Sequence, residues 1–305
     1  MARSWQSRVL NALLRLRVKR RLARDMLPDT PIEDARASSE RRTALFAPQI
    51  PAGARFTDVD ADGVRCERID VGPAAAPRVL LYLHGGGFVF RLTTLYRGFA
   101  ARLAADAGAW CLKPDYALAP EHPFPRPLED CLAAYRWLLR TGVAPRRIAV
   151  IGDSGGANLT LALLIALRDA GDALPACAVA LSPPTDMTVS GWSAVSNLRA
   201  DPLLSTEALL GMKLRYVGGA DPTHPLLSPA RADLRGLPPV LVHAGSIEVL
   251  RDDAVHFAER ARAAGVSVEL EIWEGMPHVF QVVQWVPEAR RAVARIVAFV
   301  QNHTA

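Results

Sequence analysis

Arg147-Ile148-Ala149-Val150-Ile151-Gly152-Asp153-Ser154-Gly155-Gly156-Ala157-Asn158 decides how the rest of the chain is read. Four apolar residues, Ile148 to Ile151, run into a Gly-x-Ser-x-Gly pentapeptide, Gly152 to Gly156, and an apolar segment from Leu159 to Leu167 follows. Strand, tight turn and helix is the setting in which that pentapeptide has mechanical meaning, because the sharp turn lifts a serine hydroxyl above the sheet edge. Glycines on either side leave room for strained backbone and for close approach of strand and helix. The helix N-terminus adds free N–H groups and a positive dipole end beside the hydroxyl. Taken alone, the pentapeptide also fits a plain glycine-rich turn that opens a helix, so the rest of the chain has to decide.

The 305 residues are 50% hydrophobic, enough for one large α/β domain with a small accessory part. The net charge of +5 is local. Residues 1–24 carry eight Lys and Arg and no acid, whereas the remainder sets 28 cations against 31 anions. The basic balance thus describes a leading segment, and it gives no nucleic-acid surface. Cys66, Cys111, Cys131 and Cys177 are widely spaced and form no Cys-x-x-Cys, which argues for reduced thiols and against a disulfide frame or zinc site. No run reaches the ~18 apolar residues needed to cross a bilayer, and arginines interrupt each apolar run near the N-terminus, unlike a signal peptide. These features lead us to expect a cytoplasmic protein without stable membrane insertion.

Residues 4–24 read as an amphipathic helix, with Trp5, Val9, Leu13 and Leu16 at helical spacing, Leu10 and Leu14 alongside, and arginines on the other face. A second helix is expected over about 31–44. These helices read as half of a cap over a cleft; the rival readings are weak association with an anionic membrane or partner surface, and plain packing. Expected strands are 64–71, 78–83, 110–113, 148–151, 177–181, 239–244 and 267–273. Expected helices are 93–107, 127–140, 159–167, 206–216, 251–264 and 287–300. The strand–helix rhythm predicts a mostly parallel sheet covered on both faces. It lapses from Asp186 to about Arg231, an insertion long enough to be functional. The domain plan is therefore 1–50 as N-terminal cap helices, 51–185 and 232–305 as the catalytic domain, and 186–231 as an inserted cap segment.

A serine hydroxyl needs a neighbouring base. Of seven histidines, His278 stands apart, because it lies in the loop Gly275-Met276-Pro277-His278-Val279-Phe280 just after a strand, from which its ring can reach Ser154. The base in turn needs a carboxylate to fix its tautomer. The segment Gly245 to Asp253 offers Glu248 near the strand end and Asp252 a turn further on, and both stay open as that acid. The order Ser, acid, His is that of an α/β hydrolase. A tetrahedral oxyanion needs donors. Gly85-Gly86-Gly87 after an apolar strand, together with the Gly155 N–H, supplies them, and the glycine run lacks the spacing and lysine of a phosphate loop.

Four features now converge: His84-Gly85-Gly86-Gly87-Phe88, the stretch Asp115-Tyr116-Ala117-Leu118-Ala119-Pro120-Glu121-His122-Pro123-Phe124-Pro125, the pentapeptide at Ser154, and the Glu248 and His278 loops. In this order, over nearly the whole chain, they resemble the hormone-sensitive-lipase-like (family IV) esterases of the α/β-hydrolase superfamily. The resemblance implies carboxylic-ester hydrolysis through an acyl-enzyme, without metal or organic cofactor. It assigns Ser154 as nucleophile, His278 as base, Glu248 as orienting acid, and Gly86, Gly87 and Gly155 as oxyanion donors. It further implies that the His84–Phe88 and Asp115–Pro125 loops brace one another and that a homodimer forms. This chain departs from the family pattern at Gly155 and Ala157, at Ala117 where an arginine is usual, and at Glu248 where Asp is frequent. The Glu form resembles a subgroup that includes lactone hydrolases. The expected substrate is a short to medium acyl ester or a small lactone. An amide or N-acetyl hydrolase on the same residues, and a non-catalytic small-molecule receptor, are the alternatives.

Overall fold

Strands that are apolar on both sides need cover on both faces of their sheet. A computed structural model describes residues 3–27, 30–72 and 77–304 and shows how the chain supplies that cover. Helix α1 (Trp5–Leu14), a π turn (Arg15–Lys19), α2 (Arg20–Asp25) and α3 (Ile32–Thr43) come first. Strands β1 (Arg55–Ala61) and β2 (Val64–Asp70) form a hairpin. Then β3 (Arg78–Leu83), α4 (Thr93–Ala107), β4 (Ala109–Pro114), α5 (Arg126–Arg140), β5 (Ile148–Asp153), α6 (Gly155–Ala170) and β6 (Cys177–Leu181) alternate. Helices α7 (Ser193–Ser196) and α8 (Thr206–Val217) interrupt the alternation, which resumes with β7 (Val240–Gly245), α9 (Arg251–Ala263), β8 (Val268–Trp273) and α10 (Pro287–His303).

One eight-stranded sheet runs β1-β2-β4-β3-β5-β6-β7-β8. Only the β1–β2 and β2–β4 pairs are antiparallel; β4 through β8 are parallel. This is the α/β-hydrolase fold expected from the sequence. Successive side chains of β3 feed opposite layers, as the period of two requires. Leu80 and Tyr82 join α4 and α10, while Leu81 and Leu83 join α5 and α6. Helix α9 packs with α6 over β7 through Phe257, Leu161 and Val242. No described helix is long and apolar enough to cross a membrane.

Two local readings change. Strand β1 was not expected, because its residues are mostly exposed and show no apolar alternation. The leading helix also turns a different face inward. Leu10, Leu14 and Val18 are buried, whereas Trp5 and Leu16 remain 69% and 78% exposed. In an α-helix a row spaced by four drifts about 40° per step. The wider π turn over Arg15–Lys19 takes up that drift, so Leu10, Leu14, Val18 and Leu22 line one pocket. Helix α2 packs against both α3 and α8, and Arg215 of α8 donates to the Met26 carbonyl at 3.1 Å.

The close approach of the start of α6 to the end of β3, the strand paired with β5, fixes the position of the turn between β5 and α6. A Cβ on Gly156 would overlap the Leu83 and His84 carbonyl oxygens, so only glycine allows that approach. Gly156→Ala is expected to destabilise the protein by about 1–3 kcal/mol through overpacking, read as a lower melting temperature in calorimetry. A variant that melts with the parent would show that β3 and α6 do not need this spacing.

Candidate active site

Ser154 follows the last residue of β5 at φ 50° and ψ −122°, a strained conformation for a side-chain-bearing residue. Its N–H donates to the Leu181 carbonyl at 2.8 Å, which anchors the turn to β6. The hydroxyl projects from the C-terminal edge of the parallel strands, where ligands bind in such sheets.

The loop after β8 brings His278 to the same edge, with Nε2 2.9 Å from Ser154 Oγ. On the far side of the ring, Nδ1 lies 2.9 Å from Glu248 Oε2. A carboxylate acceptor at Nδ1 places the proton there and leaves Nε2 free to accept from the serine. Glu248 is wholly buried, and its second oxygen accepts from Ser182 Oγ at 2.7 Å and from the Gly245 N–H. Burial disfavours the imidazolium, but the hydrogen bond and charge of Glu248, aided by Asp201 and Asp153, outweigh it and raise the His278 pKa above its ordinary value. Of the two acids left open by the sequence, Glu248 meets His278. Asp252 turns away to the Ser193 N–H at 2.8 Å and to Arg251.

Beyond β3, Gly86 and Gly87 adopt φ of 105° and 60°, a backbone that favours glycine. The turn is closed by Phe90 N–H donating to the Gly86 carbonyl at 2.9 Å. Gly155, the first residue of α6, faces this loop: a Cβ on it would lie 3.0 Å from the Phe88 nitrogen. The first N–H groups of a helix have no intrahelical acceptor, so the three glycines the sequence singled out converge around Ser154.

Side chains that the sequence reading passed over hold this geometry. Asp153, fully buried, accepts from the Tyr82 and Tyr96 hydroxyls, both at 2.6 Å, and from the Gly85 N–H at 3.0 Å. Burial pushes its pKa up to about 6 against the pull of those donors. His84 stacks on Tyr116 with centroids 4.2 Å apart, and the Tyr116 hydroxyl donates to the His84 carbonyl at 2.6 Å. Ala119 N–H donates to the Phe88 carbonyl at 2.9 Å, so the two loops do brace one another. Where Ala117 leaves no guanidinium, Arg91 reaches the Tyr116 carbonyl at 3.1 Å. Arg36 of α3 donates to the carbonyls of Val89 and Ala119 at 2.9 and 3.0 Å. Asp201 accepts from the Val249 N–H at 3.0 Å and so fixes the loop that carries Glu248.

Ser154 and His278 open into an apolar pocket of about 140 Å³, walled by Leu10, Leu14, Phe90, Leu203 and Val283 among others. A second lobe of about 20 Å³ also borders Ser154, against Phe88, Leu209 and Leu250. Met212 and Leu204 border both. Among the described residues His278 is the histidine that hydrogen-bonds Ser154; His243, for example, is buried in β7 beside Glu271 at 3.1 Å. The four cysteines are buried and unpaired, and among the described residues no three His, Cys, Asp or Glu side chains converge as a metal site. The hydrogen bonds from Ser154 through His278 to Glu248 can activate a hydroxyl beside an apolar pocket.

Comparisons with known proteins agree with this chemistry. A family model described as the alpha/beta hydrolase fold matches residues 80–282. An acetyl-hydrolase of Streptomyces hygroscopicus is 45% identical over 231 residues, which cover 74% of this chain and 76% of that protein. An esterase of Acinetobacter venetianus is 37% identical over 257 residues, 84% of each chain. Among solved structures, an esterase from the bacterial hormone-sensitive lipase family superposes over the full length of both chains with a TM-score of 0.91 and 40% identity. The chain belongs to the hormone-sensitive lipase family of α/β hydrolases, and it is a serine carboxylesterase, an enzyme that hydrolyses carboxylic esters.

Proposed function

We propose that Ser154, His278 and Glu248 act as the catalytic triad in the hydrolysis of short to medium acyl esters or small lactones. The observation that carries this reading is the unbroken line of two 2.9 Å hydrogen bonds from Ser154 through His278 to a fully buried carboxylate, at the mouth of an apolar pocket. Ser154 Oγ attacks the ester carbonyl carbon as its proton passes to His278 Nε2. The N–H groups of Gly86, Gly87 and Gly155 receive the oxyanion; each such donor contributes about 3 kcal/mol in comparable sites. Glu248 stabilises the imidazolium. His278 then protonates the departing alkoxide, which leaves an acyl-enzyme. Water, deprotonated by His278, attacks that ester and releases the acid and free Ser154.

The unequal lobes beside Ser154, about 20 and 140 Å³, suit an ester with one short and one longer arm. The 45% identity to an acetyl-hydrolase adds weight to acetyl as the short arm and makes an N-acetyl amide the second reading. Residues 1–50 and 186–231 would form one cap over the site: α2 packs on α8, and side chains from both segments wall the larger lobe.

Nitrophenyl esters from C2 to C16 test the assignment. Ser154→Ala is expected to abolish turnover, and Glu248→Ala to lower kcat by about 10³-fold or more with the circular dichroism spectrum unchanged. Near-parental kcat in folded Glu248→Ala would remove Glu248 from the triad. The pH profile gives a second check. Only neutral His278 can accept the serine proton, and its pKa is raised. The acid limb of kcat/KM should therefore have its midpoint above about 6.5, the unperturbed histidine value, and Glu248→Gln should shift that midpoint downwards. A parental midpoint below 6 would contradict the raised pKa. Chain-length preference with matched acetyl ester and N-acetyl amide substrates separates the two readings: faster turnover of the amide would favour the second.

A further inference from the structure

The larger lobe beside Ser154 is closed on one side by a wall one side chain thick. Val18, Arg42 and Phe46 line that lobe, and the same three residues line an outer cleft of about 250 Å³ whose other walls are Leu16, Arg17, Arg21 and Leu45. Leu16 and Leu45 are 78% and 76% exposed, the two most exposed large apolar side chains among the described residues. The π turn puts Leu16 in the outer cleft and Val18 in the wall, two residues apart. Turns of this kind recur at functional sites.

Arg42 is an unusual material for such a wall. Its guanidinium pairs with Asp25 across α2 and α3, and both side chains are largely buried. It donates to Ser39 Oγ at 2.9 Å and to Ser38 Oγ. Its Nε is buried with no partner among the described residues. A buried ion pair with an unmet donor costs desolvation that an apolar side chain of similar size would avoid. A charged side chain can, in return, leave the wall and remain solvated in an outer cleft open to water.

We propose that Arg42, held by Asp25, is a plug between the acyl pocket and an outer extension subsite, and that the subsite takes the distal segment of an alkyl or acyl chain too long for the inner pocket. With the plug in place the enzyme favours shorter chains. This inference rests on the reading of the larger lobe as a substrate-chain pocket.

The experiment is kcat/KM for nitrophenyl esters from C4 to C14, below their micelle concentrations, in the parent, Arg42→Ala, Arg42→Met and Phe46→Ala. Arg42→Ala should raise the C12-to-C4 ratio of kcat/KM at least 10-fold, mainly through KM. Arg42→Met, which keeps the length of the side chain, should raise it far less. Phe46→Ala opens the same wall and serves if Arg42→Ala does not fold. Adding Leu16→Trp to Arg42→Ala should take back most of the gain by filling the outer cleft. An unchanged ratio in both folded wall variants, or a gain that survives Leu16→Trp, overturns the proposal. Calorimetric binding of 1-butanol against 1-decanol makes the same comparison without turnover: tighter 1-decanol binding in Arg42→Ala alone supports the plug, and equal binding in parent and variant rejects it. A protein that binds as expected but hydrolyses no ester would leave the plug standing and sink the esterase mechanism instead.

Discussion

One strained peptide unit, at Ser154, is the reference point for the whole site. Holding φ at 50° and ψ at −122° costs on the order of 1–3 kcal/mol, and the cost is met by what surrounds it. Strand β5 lies between β3 and β6 with every residue buried. Helix α6 is apolar on nearly all sides and is sandwiched between packed layers. The neighbouring Asp153 side chain then reaches back to the Gly85 N–H. Ser154 and the glycine loop are thus positioned from the same two residues, and an error in one is shared by the other.

The charges of the site lie away from water, and each is matched by donors. A wholly buried carboxylate such as Glu248 would be prohibitively costly alone. Here a serine hydroxyl, a backbone N–H and an imidazole divide its lone pairs. Ser182 also accepts from the Val279 N–H at 3.2 Å, so one hydroxyl ties Glu248 to the backbone beside His278. Asp201 does the same work one layer further out, taking the N–H groups of Leu203 and Leu204 as well as Val249. This network leaves His278 little freedom to rotate away from Ser154.

Much of this was legible in the sequence where the signal is local. Strands β3 and β6 fall at the residues expected because each is an apolar run with glycine or proline two residues beyond its end, and helix α4 ends as expected before Gly108. The Ser154 turn, the glycine loop and the His278 loop carry their own short patterns. Strand β1 carries no apolar pattern, yet Asp62-Gly63, both at positive φ, is a strong hairpin signal that could have revealed it. The inward face of α1 was misjudged because half of it is polar, with Ser7 and Asn11 buried beside Leu10 and Leu14, while the π turn that follows carries the buried row on to Val18. Ser182, Asp201, Arg36 and Asp153 act on partners far away in the chain, 66 residues in the case of Ser182 and Glu248. Single-chain patterns carry no distance between such residues. Between Glu248 and Asp252 the sequence offered only proximity to the strand end, and the difference lies in side-chain direction.

Met212, from α8, has a further consequence. Its sulfur packs so closely on Gly87 that a Cβ there would collide with it, and Arg36, from α3, grips the loop on the other side at Val89. Helices α8 and α3 therefore both touch the glycine loop that is proposed to receive the developing negative charge. Selectivity and rate are not separable modules in this enzyme. A chimera that exchanges α8 or α3 with those of a relative would also inherit a differently shaped glycine loop, so recombination within the family would succeed chiefly where the upper helices and that loop travel together.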